Sequence, residues 1–535
     1  MHMIWKKTLF CGLLIIGLIT GCMQQKASPG RDGEAAYAPR ELVLAVGSEP
    51  EAGFDPTTGW GRYGSPLFQS TLLKYDHELN IVYDLATGYQ ISEDGTQYTV
   101  TIRSDAKFSD GTPVTADDVK YTFDTAASSG SVVDLQILKR VDAIDAGTVQ
   151  FTLKEAQSTF IYNLVATGIV PRHAHGPDYA AKPLGSGPFQ LVQWDRGQQL
   201  IVSANPYYYD VKPYFEKITF LFLSEDAAFA AVKAGTVDVA YIPAIFSKQE
   251  VPGMRLETVP TVDNRGIMFP YVPSGGTTAE GYPIGNDVTA DIAIRKAINT
   301  AIDRNALIAG VLEGRGTPAY SAADGLPWWN PDSVIQDGDA DAAKMLLKNG
   351  GWEDRDGDGI LEKGSLKAEF TLLYPASDTI RQSLAIAAAD MIRPLGIQIH
   401  VEGKSWDDIR KLMYSNAVLN GWGSHDPLEM YNLYSSKYAG VGYYNTGFYH
   451  NDTVDRYLDA ALAARTTEEA NEYWKKAQWD GQTGFSARGD APWAWLVNLD
   501  HLYLVKEGLD IGTQKIHPHG HGWPVTDNIS EWRWK

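Results

Sequence analysis

Apolar and polar residues alternate over 98–103 (YTVTIR), which predicts a strand with alternate side chains on one face of a sheet. Turn chemistry follows in 108–119 (FSDGTPVTADDV). Gly111 allows positive φ and Pro113 fixes its own, so Asp110 to Pro113 predict a turn. Thr115 then stands as an N-cap, and Asp117 and Asp118 suit the positive end of the helix starting there. Residues 41–47 (ELVLAVG) form a β-type run, and 76–84 and 89–103 predict strands and turns. In 228–240 (AFAAVKAGTVDVA) a helix stops at Gly235 and a strand follows. Ile294, Ala297, Ile298, Ala301 and Ile302 keep helical spacing. Residues 342–351 (AAKMLLKNGG) predict another helix, and 370–401 a strand, a helix broken at Pro394 and Gly396, and a strand. No internal repeat is present. The mixture is α/β.

The N-terminus changes the picture of compartment. Lys6 and Lys7 precede a short apolar run, 8–19, and residues 18–22 (LITGC) place small residues before Cys22. About a dozen apolar residues are too few to cross a ~30 Å hydrocarbon core. Residues 1–21 are therefore expected to be a lipoprotein signal rather than an uncleaved anchor, with Cys22 lipidated and Cys11 removed. One remaining cysteine allows no disulfide framework. Residues 22–40 lack periodicity and predict a tether with a reach of roughly 25 Å. No later stretch is long and apolar enough to span a bilayer. The formal charge of −20 argues against nucleic acid and anionic lipid as partners. Roughly 500 ordered residues exceed one core, so more than one domain is expected.

Three segments carry candidate chemistry. In 352–364 (WEDRDGDGILEKG), Asp354, Asp356 and Asp358 resemble the first half of a calcium loop, but the twelfth position is Ser365 where a Glu belongs. A solvated turn and a structural Ca²⁺ site both fit. Near the C-terminus, 516–523 (IHPHGHGW) sets His517, His519 and His521 at alternate positions, where imidazoles on an extended chain can converge on one ion. Such ligands suit nickel, copper, zinc or iron rather than calcium or magnesium; a surface loop is the plainer alternative. Copper oxidase chemistry needs several further H-x-H pairs, and only His173-Ala174-His175 is present. No G-x-S-x-G or H-E-x-x-H element supports a hydrolase.

Several of these stretches together carry a resemblance. FSDGTPVTADDV, 169–173 (IVPRH), the cluster Gly185-Ser186-Gly187-Pro188-Phe189 followed by Asn205-Pro206-Tyr207-Tyr208, the AGTVDVA run, and Asp303-Arg304 after its helix resemble the family 5 extracellular solute-binding proteins. Those proteins capture peptides or nickel for ABC importers. The resemblance covers roughly residues 40 to 500. It implies a two-lobed periplasmic-binding-protein-like fold of class II type, with an extra subdomain in the N-terminal lobe. The expected boundaries are 41–265 plus 486–535 for lobe I, 74–184 for the extra subdomain and 266–485 for lobe II.

The resemblance also places candidate ligand residues. Residues 421–427 (GWGSHDP) are similar to the nickel-type members, and put Trp422, His425 and Asp426 at the cleft. Asp426 can instead pair with a peptide α-ammonium, as an acidic residue does in peptide-binding members. Arg265, at the expected lobe crossing, can pair with a ligand carboxylate or form an ordinary hinge salt bridge. Trp328, Trp329, Tyr431 and Tyr434 are candidate aromatic walls. The favoured expectation is a non-enzymatic, monomeric lipoprotein outside the cytoplasm that binds Ni²⁺, free or chelated, through His517, His519, His521 and His425. It would need no resident cofactor and would present its cargo to an ABC permease. The alternative is a di- or oligopeptide receptor on the same fold.

Overall fold

The computed structural model describes residues 40–64, 67–520 and 522–535. The expectations for the leader, Cys22 and the tether up to residue 39 lie outside the described residues, as does His521. From Arg40 to Lys535 the chain forms one compact unit. Among the described residues no helix is long and apolar enough to cross a membrane.

Two large sheets organise that unit. The first has seven strands in the spatial order Met254–Val259, His501–Lys506, Val239–Ile242, Glu41–Ala45, Lys217–Leu221, Gln199–Ala204 and Phe189–Asp195. Glu41–Ala45 runs parallel to both of its neighbours, as expected of a buried central strand. The second has six, in the order Gly316–Pro318, Trp493–Leu499, Asn264–Met268, Ala417–Asn420, Glu369–Pro375 and Gln398–Lys404. Helix Ile292–Ala301 packs on it through Ile294 and Ile298, both fully buried, each contributing about 1.5–3 kcal/mol. Asp303 caps the next helix by accepting from Ala306 N at 2.9 Å. Arg304 is buried against Asp337, with Nη1 2.9 Å from its Oδ2.

A third, antiparallel sheet of four strands is built from Ala86–Ile91, Gln97–Ile102, Thr148–Leu153 and Leu138–Asp145. Helix Ala116–Ser128 covers it, with Phe123 against Phe151 at 4.8 Å between ring centroids. Thr115 and Asp118 form the reciprocal cap of that helix. The glycine cluster at 185–187 has a steric reason. A Cβ on Gly187 would lie 2.7 Å from Leu67 O, because segment 67–69 crosses directly over it. Asn205 Nδ2 then donates to Gly187 O at 2.9 Å, which fixes the second motif onto the first.

The chain passes between the two large sheets twice, between Val259 and Asn264 and between Leu499 and His501. Thr261 Oγ1 donates to Leu499 O at 2.5 Å, and Leu499 N donates to Asp263 O at 2.9 Å, so the crossings are tied together. The return crossing lies later than a boundary at 486. Trp493–Leu499 is almost wholly apolar and buried, and such a run fits the middle of either sheet, so periodicity does not say which one it joins.

Candidate functional site

A cavity of about 540 Å³ opens between the lobes. The first-lobe side supplies Trp60, Arg62, Tyr75 and His77, and the third-sheet region supplies Asp134, Tyr162 and Asn163. The second lobe contributes Trp422, His425, Asp426, Glu429, Asn432 and Tyr444, and the C-terminal segment Lys515 and Pro518.

The 421–429 segment is fixed to the hinge. Trp422 N donates to Asn264 Oδ1 at 2.9 Å, and Asn264 N to Trp422 O at 3.0 Å. Gly423 has φ of +144°, and a Cβ there would stand 2.1 Å from Val262 O. His519 N completes the joint by donating to Gly423 O at 2.7 Å. The cleft wall and the lobe crossing are thus one hydrogen-bonded structure.

Two carboxyls sit on this wall. Asp426 Oδ1 accepts from Leu428 N at 2.9 Å, and Glu429 accepts from Gly423 N and Ser424 N, each at 3.2 Å. Burial pushes Asp426 up to about 7 and Glu429 up to about 7, with the Asp426 charge adding to the rise of Glu429. Arg62, held at 3.3 Å by Val132 O, offers the opposing positive charge. His425 precedes Asp426 on the same wall. Its carbonyl accepts from Tyr75 OH at 2.7 Å. Burial, then the Lys515 charge, push its imidazole down to about 3. His425 Nε2, Trp422 Nε1 and Asn432 Oδ1 are buried without a hydrogen-bond partner among the described residues. Trp422 stacks on Tyr444 at 5.4 Å.

The histidine tract takes a different place from the cleft wall. His517 is fully buried, with Nδ1 3.1 Å from Nδ1 of His501. Its backbone pairs with the crossing, N donating to Pro260 O and O accepting from Val262 N, both at 2.9 Å. His519 Nδ1 donates to Asp263 Oδ1 at 2.5 Å. The two imidazoles thus turn to different partners in the hinge, and among the described residues of the tract Pro518 alone borders the cavity. Burial pushes His517 well below its usual value, as do the charges of His501, His425 and Lys515. His173 and His175 separate similarly, to Asp110 at 2.7 Å and Asp55 at 3.0 Å.

Arg265 also belongs to the hinge. Its Nη1 lies 2.5 Å from Asp263 Oδ1, the side chain is buried, and it does not line the cavity. Trp328 packs edge-on to Tyr162 at 5.9 Å, Tyr431 OH donates to Asp459 at 2.8 Å, and Tyr434 stacks on Phe485 at 3.6 Å. None of these three rings lines the cavity; they fill the interior. Trp329 packs against the same interior and is likewise away from the cavity. Asp354, Asp356 and Asp358 lie in a separate loop of the second lobe. The cleft groups that spacing alone did not offer are Arg62, Tyr75, Glu429 and Lys515. Glu429 had a signal, an acidic residue three positions after Asp426 in the first turn of the short helix Leu428–Tyr434; Arg62 had none.

Two lobes joined by paired crossings, with a polar and aromatic cavity between them, have the architecture of a solute receptor. The family described as bacterial extracellular solute-binding proteins, family 5 Middle, matches residues 80–445, and the chain belongs to it. It is a substrate-binding protein of an ABC importer of the peptide and nickel class. Protein XP55 of Streptomyces lividans is 32% identical over 491 residues, covering 88% of this chain and 86% of its own. The oligopeptide-binding protein AppA of Bacillus subtilis is 27% identical, over 95% of each chain. Among solved structures, NikZ from Campylobacter jejuni in complex with Ni(L-His) superposes with a TM-score of 0.75 and 25% identity, over 93% of this chain and 100% of that one.

Proposed function

We propose that the cleft captures a small amino-acid-derived solute by its protonated amine, a short peptide being the class that fits best, and presents it to the permease in a closed form. The observation that carries this reading is the pair Asp426 and Glu429, two half-buried carboxyls on the wall of a cavity of about 540 Å³, each pushed up to about 7. Desolvation makes these acids costly to ionise despite the Arg62 charge, and a ligand ammonium group adds counter-charge. Arg62 across the cavity suits the carboxylate end of the same ligand. The volume falls in the range of small organic ligands, whereas a bare ion would leave most of it to water. Closure would then be a population shift about the Thr261–Asp263 and Leu499–His501 crossings. Oligopeptide-binding AppA of Bacillus subtilis is in line with this reading. The test is to denature the purified protein and identify released small molecules by mass spectrometry. Primary amines of peptide mass support the proposal, and a metal with an amino-acid chelator contradicts it.

The second reading is a nickel chelate. It is favoured by His425 Nε2, which is buried, without a partner among the described residues, and on the cavity wall. One imidazole does not make a metal site, so a chelator would have to complete the ligand set; NikZ, seen with Ni(L-His), is the parallel. In both readings Cys22 would carry a lipid holding a monomeric body at the membrane, which intact-mass measurement of membrane-extracted protein tests.

A further inference from the structure

The loop after helix Ala340–Asn349 holds a second constellation, unrelated to the cleft. Asp354 Oδ1 and Oδ2 accept from Gly357 N at 2.8 Å and Gly359 N at 3.2 Å, while Asp358 Oδ1 accepts from Ile360 N at 2.9 Å. These bonds turn the carboxylates inward on one another. The chain then enters a two-stranded hairpin, Glu362–Lys363 with Leu366–Lys367, whose register sets Glu362 opposite Lys367. One oxygen from each of Asp354, Asp356, Asp358 and Glu362 lies within 4.8 Å of the other three.

Glu362 is the informative member. It is 7% exposed, and its Oε2 accepts from Arg355 N at 2.8 Å. Its Oε1 is buried with no hydrogen bond among the described residues. The nearest cation to that oxygen, Lys367 Nζ, stands off at 3.8 Å. The same ammonium is bonded to Asp356, at 3.1 Å, and to Asp358. The one ammonium therefore serves Asp356 and Asp358 and leaves the buried Glu362 short.

A calcium loop of the usual pattern takes its last carboxylate from position twelve, which is Ser365 here. The hairpin supplies Glu362 at position nine instead, from inside the fold. We infer that Asp354, Asp356, Asp358 and Glu362 form a Ca²⁺ site in which Lys367 is a built-in competitor, the ammonium leaving the cluster as the ion enters. Hard oxygen donors without imidazole or thiolate select against transition metals, and the exposed, adaptable loop suits Ca²⁺ better than the smaller, strictly octahedral Mg²⁺. The ion would fasten the loop that joins helix Ala340–Asn349 to strand Glu369–Pro375 in the second lobe.

The test is calorimetric titration and thermal melting of the folded body, residues 40–535, with CaCl₂ or MgCl₂. Wild type, Lys367→Met and Glu362→Gln are compared, with exposed Asp356→Asn replacing the last if it fails to fold. Wild type is expected to bind Ca²⁺ in the roughly 0.1–1 mM range of extracellular sites and to melt higher with it. Lys367→Met should bind several-fold more tightly, and the carboxylate variants about tenfold or more weakly. No Ca²⁺-dependent change in wild type or Lys367→Met up to about 10 mM overturns the site. An equal response to Mg²⁺ overturns its selectivity, and unchanged affinity in Lys367→Met overturns the role of the lysine.

Discussion

His519 donates to Asp263 across the lobe crossing, Nδ1 to Oδ1 at 2.5 Å, joining residues 256 positions apart. Asp263 also accepts from Arg265 Nη1 at 2.5 Å, and His501 Nε2 is 3.5 Å from its other oxygen. The C-terminal segment, both crossings and the second sheet therefore meet on one buried carboxylate.

Replacing that carboxylate tests the joint. Asp263→Asn leaves the Arg265 guanidinium buried without its counter-charge, which costs about 3–5 kcal/mol. A lowered midpoint in urea unfolding checks this. The pH dependence has a definite sign. Burial pushes the Asp263 carboxyl up, but the charges of Arg265 and His519 and bonds from His501 and His519 outweigh it and hold the group well below the usual range. Its contribution is fully present above the unfolded value near ~3.9 and is lost as pH falls through the lower folded value. The variant should lose less stability than wild type on acidification below about pH 4.

Asp426 and Glu429 have the opposite sign. Burial raises each to about 7, so the folded apoprotein keeps protons that the unfolded chain has lost above roughly pH 4. Stability of the apoprotein should fall as pH rises from about 4 to about 7, then level off. Affinity for an amine should rise over the upper part of that window, because the ligand needs ionised carboxylates. Thermal melts and titrations between about pH 5.5 and 7.5 measure both.

Asp426→Asn is expected to weaken binding of an amine ligand by about 1.5–3 kcal/mol, roughly ten- to hundredfold. The same change should leave the apoprotein as stable as wild type or more so, since a buried acid is removed. Loss of affinity with a matching loss of stability would assign Asp426 a structural role.

His425 separates the two ligand readings. Burial and Lys515 push its imidazole to about 3, so the ring is neutral throughout the physiological range and can offer a metal one nitrogen. His425→Ala should leave peptide binding within a few-fold. It should abolish binding of Ni²⁺ with free histidine if a chelate binds at all, which calorimetry with each ligand distinguishes.

Gly423 tests how the wall is attached. Gly423→Ala must place a methyl 2.1 Å from Val262 O at a φ of +144°. A cost of about 1–3 kcal/mol is expected, together with weaker ligand binding as Trp422 and Asp426 shift. Melting temperature and affinity falling together is the predicted outcome.

Much of the scaffold was legible because its signals are local. The turn at 110–113, the Thr115 cap, the helical spacing of Ile294 to Ala301 and the strand–helix–strand over 370–401 each depend on neighbours in sequence, and each forms. In the cleft, Trp422, His425 and Asp426 were legible through their family-like motif. The histidine tract was not. Alternate spacing places His517 and His519 on one side of an extended chain, but says nothing of what faces that side. The partners are His501, 16 residues away, and Asp263, 256 away, and the folded chain brings them there. The rings of Trp328, Tyr431 and Tyr434 follow the commoner rule that large aromatics fill cores.

The most direct measurement is calorimetric titration of residues 40–535 with a short peptide and with its N-acetylated form, at about pH 7.5. NiCl₂ with and without free histidine serves as the comparison. Binding of the free peptide, a loss of at least about tenfold on acetylation, and no heat from the nickel mixtures are predicted. Equal binding of the two peptides, or tight binding only of nickel with histidine, would contradict capture through the amine.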